Sequence, residues 1–527
     1  MNLTNRGQSR TVDKRQLFLT IPVLLSAVVI FWNLSGLGLS HWDEYNYIET
    51  AEWFLRTPGG TFTIYEPPGF PFLVAVFFRL FGVRDYVAIA ASALFAVASV
   101  ALVAYLGLRL FGLKVGLMAP ILLLMMPLFI TYSRMALTDI AFTFFFSLAL
   151  AAMYVATRRD NHRNVAFAGI TLGACTMIKY NGFMPLLVFL IYSFIALRSV
   201  KAGERFGAAL RQLRILLLTC IPPLVLGLLF ISFLGLSTQL PEGRMFSLRA
   251  LKLMALDAPK ILGKGLDKFA RAAVLYHSGQ LAFFPFASAP YYLQVLVYFV
   301  PIPVLALAIV GVLRKDLSDG PELFVVVWLL GSFFIITSVG AQYSRAILPA
   351  LPPLALCASL GLSKINAFAQ SFAIGRRRNV KLKTLTPILL ILVIVLSFQS
   401  AHRAISVEHR GYREAAELLT MAGGNVPVLA DAQLVIGFYH PVNFGEINST
   451  NLSKNQYLVV DFKAAENGYA PTIQRLTSEG RLKLLGTIPA DLPPEVYLDS
   501  MSFIQLAHWN YTYIQVYEIT NATASAP

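Results

Sequence analysis

Apolar residues run along most of the chain in long blocks, each closed by a short polar or basic stretch. A helix needs about 20 mainly apolar residues to cross a bilayer. Blocks at 17–39, 86–108, 115–130, 140–156, 165–178, 182–197, 215–236, 292–313, 323–337, 347–362 and 385–398 predict about eleven spans. The first block is too long for a signal peptide and lacks a small-residue cleavage site, so it reads as an uncleaved span. Two stretches differ. In residues 44–55 the apolar positions Tyr47, Ile48, Ala51, Phe54 and Leu55 recur at helical spacing, which predicts a helix lying on the membrane surface. Residues 61–65 read as strand-like, and 70–81, apolar but too short to span, predict a second interfacial helix after Pro67-Pro68.

After residue 400 the long blocks give way to short alternating runs. These predict helices at 411–421, 433–439 and 472–478 and strands at 426–430, 456–461, 482–488 and 511–518. The expected architecture is an α-helical polytopic membrane part, residues 1–399, with long external loops at 40–85 and 237–291, followed by a small soluble α/β domain over 400–527.

Composition agrees with lipid as the solvent. Of 527 residues, 57% are hydrophobic and 13% charged, too apolar a chain for one water-soluble core. The net charge of +15 raises nucleic acid as a partner, but its placement argues against one. Basic residues gather before the first block (Arg6, Arg10, Lys14, Arg15) and in alternate loops, such as Arg158 with Arg159 and Arg163, or Arg198 with Lys201 and Arg205. That is the positive-inside pattern, so the N-terminus is expected in the cytoplasm and residues 400–527 on the extracytoplasmic side. Cys175, Cys220 and Cys357 lie in apolar blocks and read as packed side chains rather than disulfide partners or metal ligands.

The same rule leaves a small set of charges unexplained at the external helix ends: Asp43, Glu44, Glu66, Arg134, Asp139, Lys179, His277 and Arg345. Asp43-Glu44 sits among aromatics just after the first span, where a partly desolvated carboxylate suits proton abstraction and where an acidic helix cap is equally expected. Pro67-Pro68 fixes the backbone beside Glu66, either as a metal ligand or proton acceptor or as another helix-start acid. Asp139 either pairs with Arg134 to pin their loop or serves the chemistry, since a carboxylate inside an apolar segment is costly. Lys179 and Arg345 run against the positive-inside trend; together they would hold an anion, with phosphate the obvious candidate, and snorkelling to headgroups is the plainer reading. His277 is the only histidine in the second long loop, and a lone histidine is more often structural than a ligand. No glycine loop for phosphates, nucleophile elbow or zinc-ligand pair occurs, so no nucleotide or organic cofactor is expected.

In this order the residues resemble a family: the C-type (GT-C) glycosyltransferases that use polyprenyl-phosphate sugars, in the branch of the protein O-mannosyltransferases and aminoarabinose transferases. The carriers are Asp43-Glu44 with Tyr47, the Tyr65-Glu66-Pro67-Pro68 element, Arg134 with Asp139, Lys179, Ala289-Pro290-Tyr291-Tyr292, and Arg345 before Ile347-Leu348-Pro349. The resemblance implies an active site at the external mouth, where sugar passes with inversion from the lipid phosphate to a protein, lipid or glycan acceptor. Asp43 would be the base, Glu44 its orienter, and Asp139 would line the same pocket. Lys179 and Arg345 would hold the donor phosphate, with Tyr47, Tyr65 and Arg134 also contacting substrate, and Glu66 with His277 would match the positions that hold a divalent metal ion. Ala346 and Pro67 stand where the branch often has Tyr and Lys, which moves the expected phosphate contact toward Tyr343. Two other classes compete. A transporter would show midplane charges and broken paired helices, neither of which the sequence displays; a non-catalytic glycan-binding envelope protein would hardly need so many spans.

Overall fold

A computed structural model describes residues 17–520 apart from 58–59, 63–66, 160, 199, most of 237–287, 314–319, 339–341, 376–384, 424–425, 431–432, 441–443, 446, 448–455, 462–468 and 495–512. Helices dominate: α1 Thr20–Phe31, α2 Trp42–Leu55, α3 Gly69–Phe81, α4 Asp85–Phe111, α5 Leu113–Leu124, α6 Pro127–Ser133, α7 Thr138–Arg158, α8 His162–Ile178, α9 Met184–Arg198 and α10 Arg205–Leu236. There follow α11 Ala289–Phe299, α12 Ile302–Val312, α13 Pro321–Thr337, α14 Leu351–Gly375 and α15 Leu385–Ser406. Proline at the first turn starts α6, α11, α12 and α13, where its missing N–H costs nothing.

Among the described residues, six helices are long and apolar enough to cross a membrane: 85–111, 138–158, 180–198, 202–236, 344–369 and 386–406. The pair α5–α6 adds a seventh if it is one span, and four apolar helices are shorter. The expected eleven spans are thus not all of crossing length. The block at 115–130, expected as one helix, is bent by 72° between Leu124 and Pro127. The cause is local: Pro127 cannot donate to the helix before it, and Met126 ahead of it takes extended angles. The bend overturns the expectation that no helix is broken; the break carries Met125 and Met126, not the charged groups of an ion path.

The outer helices show the solvent they meet. Leu217, Ile221, Leu224 and Leu228 on α10 and Ile388, Ile391, Val395 and Leu396 on α15 are exposed, apolar surface that belongs against lipid tails. The chain is a multi-pass membrane protein. Inside, small residues bring helices together: a Cβ on Gly311 of α12 or Gly361 of α14 would run into the facing helix backbone.

Beyond α15 come α16 Tyr412–Gly423, β1 Val428–Ala430, α17 Gln433–Tyr439, β2 Phe444–Gly445, β3 Gln456–Val460, α18 Ala470–Ser478, β4 Leu482–Pro489 and β5 Tyr513–Ile519. The sheet order is β2-β1-β3-β5-β4, parallel around β1 and antiparallel where β5 joins β3 and β4. Alternation divides the sheet: Val428, Ala430, Tyr457, Val459 and Val516 join the main core, while Leu429, Leu458, Val460 and Ile519 form a second one. The main core runs without a break from these strands into the apolar helices, and α17 packs on α2.

Candidate active site

Four chain segments converge on the start of α2. His41 caps that helix: its Nδ1 accepts the Asp43 N–H at 3.0 Å. Glu44 completes the cap from inside the first turn and is wholly buried. Its Oε2 accepts from the Ser40 and His41 N–H groups at 2.7 and 2.8 Å, and its Oε1 from the Ala136 N–H at 2.6 Å. Burial raises the Glu44 carboxyl above its ordinary value despite these three donors. One side chain thereby ties α2 to the loop between α6 and α7.

Asp43 points the other way and stays partly open, with about a quarter of its side chain exposed. Its Oδ2 accepts from Arg345 Nη2 at 2.7 Å, across 302 positions of sequence. Arg345 stands on a short 3-10 turn, Ser344–Ala350, with its guanidinium 5.5 Å from the Tyr343 ring centre. Its other nitrogen lies 3.8 Å from Asp139 Oδ2 in the first turn of α7. Asp139 Oδ1 accepts from Lys179 Nζ at 2.6 Å, where α8 ends. Lys179, Asp139, Arg345 and Asp43 thus form one row of alternating charge. Burial pushes the Asp43 carboxyl up, but Arg345 first, then His41 and Lys179, outweigh it and hold the group below its ordinary value.

The row brings Asp43, Glu44, Asp139, Lys179, Arg345 and Tyr343 into one neighbourhood. Tyr47 joins it from α2, its hydroxyl 3.5 Å from Thr138 Oγ1. Arg134 does not. Its Nη1 donates to the carbonyls of Ile30 and Trp32 at 3.1 and 2.7 Å, closing the C-terminal end of α1, so it supports the fold and contacts no open site. The ion pair expected between Arg134 and Asp139 is replaced by the one with Lys179. Tyr65, Glu66 and His277 lie outside the described residues. Among the described residues no group of three or more His, Cys, Asp or Glu side chains is gathered to hold a metal.

Chemically, the row offers two cations for an anion and beside them a carboxylate that is ionised at neutral pH. Residues 65–225 match the family model described as dolichyl-phosphate-mannose-protein mannosyltransferase. The matched segment holds Asp139 and Lys179, with Asp43 ahead of it and Arg345 beyond it. Comparison with curated proteins finds no match. Among solved structures, ArnT from Cupriavidus metallidurans bound to undecaprenyl phosphate is 15% identical, with a TM-score of 0.59 over 97% of this chain and 99% of that one. The archaeal oligosaccharyltransferase AglB from Archaeoglobus fulgidus, in complex with an inhibitory peptide and a dolichol-phosphate, is 13% identical; its TM-score is 0.53 over 90% and 73%. The chain has the C-type glycosyltransferase fold. It shares this fold with those membrane glycosyltransferases, and the segment that matches the mannosyltransferase model lies within it.

Several residues around this candidate site were not legible in the sequence. His41 was readable in part, because Ser40 to Glu44 contains the spacing of a capping box, but the structure places the cap at His41 and not at Ser40. Asp85, Arg413 and Tyr439 were not singled out. Tyr439 donates to Asp85 Oδ2 at 2.8 Å and Arg413 pairs with the same oxygen, joining positions more than 300 residues apart. No local pattern marks such a contact.

Proposed function

We propose that the chain transfers a sugar from a polyprenyl phosphate donor to an acceptor at the external face of the membrane, with inversion at the anomeric carbon. The Asp43–Arg345 pair at 2.7 Å carries this reading, because it sets a base beside the cations a phosphate leaving group needs. Asp43 takes the proton of the acceptor hydroxyl or amine as its oxygen or nitrogen attacks the anomeric carbon. The bond from that carbon to the phosphate oxygen breaks on the opposite side, and the electron pair leaves with the phosphate. Lys179 and Arg345 meet the charge that develops there, so no strong acid is needed. Glu44 fixes the helix start that aims Asp43, and Asp139 spaces the two cations.

The donor phosphate also tunes the base. Arg345 holds Asp43 in a weakly basic state; a phosphate that draws the guanidinium returns the carboxylate toward ordinary basicity. Base strength then rises when donor is bound. The lipid phosphates named with ArnT and AglB support a lipid-linked donor here. Tyr47, Tyr65 and Tyr343 are the proposed sugar and phosphate contacts, and Glu66 with His277 the proposed pair for a divalent cation. The basic loops support an N-terminus in the cytoplasm, with the site and the α/β domain at 400–527 outside. The test is transfer of labelled sugar from polyprenyl phosphate donors in membranes at matched expression. Asp43→Asn is expected to lower kcat by about 10²–10⁴-fold, the span of general-base contributions; full activity in that variant would remove Asp43 from the reaction.

A further inference from the structure

The segment that delivers Asp43 to the site takes part of its backbone hydrogen bonding from residues hundreds of positions away. Residues 37–41 run from a short 3-10 turn, Leu34–Gly36, into the cap of α2. Arg413 Nη2 donates to the Leu37 carbonyl at 2.7 Å. The Gly38 N–H donates to the Glu408 carbonyl at 3.3 Å, and the Leu39 N–H to the Tyr439 hydroxyl at 2.8 Å. Ser40 Oγ lies 3.4 Å from His409 Nδ1, and the next two N–H groups, of Ser40 and His41, go to Glu44. Three consecutive residues are therefore held by the chain after α15, and the following two by the orienter of the base.

The hold has its own support. Tyr439 has one hydroxyl proton, and it goes to Asp85, because a carboxylate only accepts; that leaves the oxygen to receive Leu39. Arg413 pairs with the same Asp85 oxygen and lies 5.5 Å from the Tyr439 ring centre. Asp85 begins α4, so the anchor is the end of a long helix. The approach is also close: a Cβ at Gly38 would stand 2.7 Å from the His409 carbonyl oxygen, nearer than a side chain tolerates. Burial drives the His409 imidazole down to about 3, so the contact with Ser40 is neutral at working pH.

We infer that Arg413 and Tyr439, braced by Asp85, are positioning residues that set Asp43 at its working distance from the acceptor. The inference rests on Asp43 being the base. It gives the chain beyond α15 a part in the chemical step, since displacement of a reacting group by about 1 Å costs on the order of 10²-fold in rate. Their contacts given above run to Leu37, Leu39 and Asp85, away from the cations of the row, so donor binding is expected to be left alone.

Steady-state transfer and direct binding of a polyprenyl phosphate are measured on the full chain carrying Tyr439→Phe, Arg413→Ala, Arg413→Lys or Gly38→Ala, with Asp43→Asn in parallel. Tyr439→Phe and Arg413→Ala are each expected to lower kcat by about tenfold while donor KM and lipid phosphate affinity stay within about twofold. Arg413→Lys, which keeps a charged donor, is expected to recover part of the loss, and Gly38→Ala to lower kcat by another route. Wild-type kcat in Tyr439→Phe and Arg413→Ala overturns the inference. So does a loss that only follows the fraction of folded protein in thermal unfolding, or one that lowers kcat and lipid phosphate affinity together. If Asp43→Asn is inactive while both variants keep kcat, the positioning role alone falls; if Asp43→Asn is active, the assignment of the base falls first.

Discussion

At Asp43 burial and neighbouring positive charge act in opposite directions. Burial alone would make it a stronger base, yet Arg345 at 2.7 Å reverses the direction. A carboxylate with a lowered pKa stays ionised as pH falls through the ordinary carboxylate range and protonates only below it. The acid limb of kcat/KM governed by Asp43 is therefore expected below that range in the free enzyme. Arg345→Gln removes the larger opposing charge, so the limb is expected to move to higher pH while donor KM rises by tenfold or more, on the order of 1–3 kcal/mol for a lost charged hydrogen bond. A pH profile of the residual activity decides; a limb that stays in place or moves lower would disconnect Arg345 from Asp43. The sequence made the members of this row legible, because Asp43, Asp139, Lys179 and Arg345 are among the charges the positive-inside rule leaves over. It did not make their pairing legible. Partners 302 positions apart are set by how helices pack, and Arg134, equally unexplained by the rule, has a purely structural set of contacts.

At the scale of elements, Arg134 shows how such a residue is used. A helix leaves its last carbonyls without partners, and near lipid no water is at hand to take them. Arg134 supplies donors to the Ile30 and Trp32 carbonyls at the end of α1. Arg134→Met, similar in length but without donors, is expected to destabilise the protein by about 2–4 kcal/mol, since buried acceptors lose charged partners. Thermal unfolding in detergent measures it, and kcat and donor KM of the folded fraction should stay near wild type. A specific rise in donor KM would return Arg134 to the substrate. Elements with strong periodicity were legible from sequence: α17 at 433–439 and α2 near 44–55 were both expected there. The two-residue β2 was not, because Phe444–Gly445 is too short to carry an alternation. The bend at Pro127 was also hidden, since an unbroken apolar run looks the same straight or bent.

Over the whole molecule, charge follows the helix axes. α7 carries Asp139 in its first turn and Arg158 in its last; α4 likewise begins with Asp85 and ends with Arg109. Acid at the N-terminus and base at the C-terminus suit each helix dipole. With a rise of about 1.5 Å per residue, each pair is separated by roughly a membrane thickness. The charged row and the hold on residues 37–41 therefore lie toward one face, and the basic helix ends at Arg109 and Arg158 toward the other. That polarity has a direct consequence for labelling in intact cells. In a variant with Cys175, Cys220 and Cys357 replaced, a cysteine at exposed Met421 should react with a membrane-impermeant thiol reagent from outside. A cysteine at exposed Glu204, beside Lys201 and Arg205, should react only after the membrane is opened. The reverse pattern would put Asp43 on the cytoplasmic side, and the proposed external transfer could not stand. The expected pattern would place Asp43 and the chain that holds it together on the side where a lipid-linked sugar must be presented.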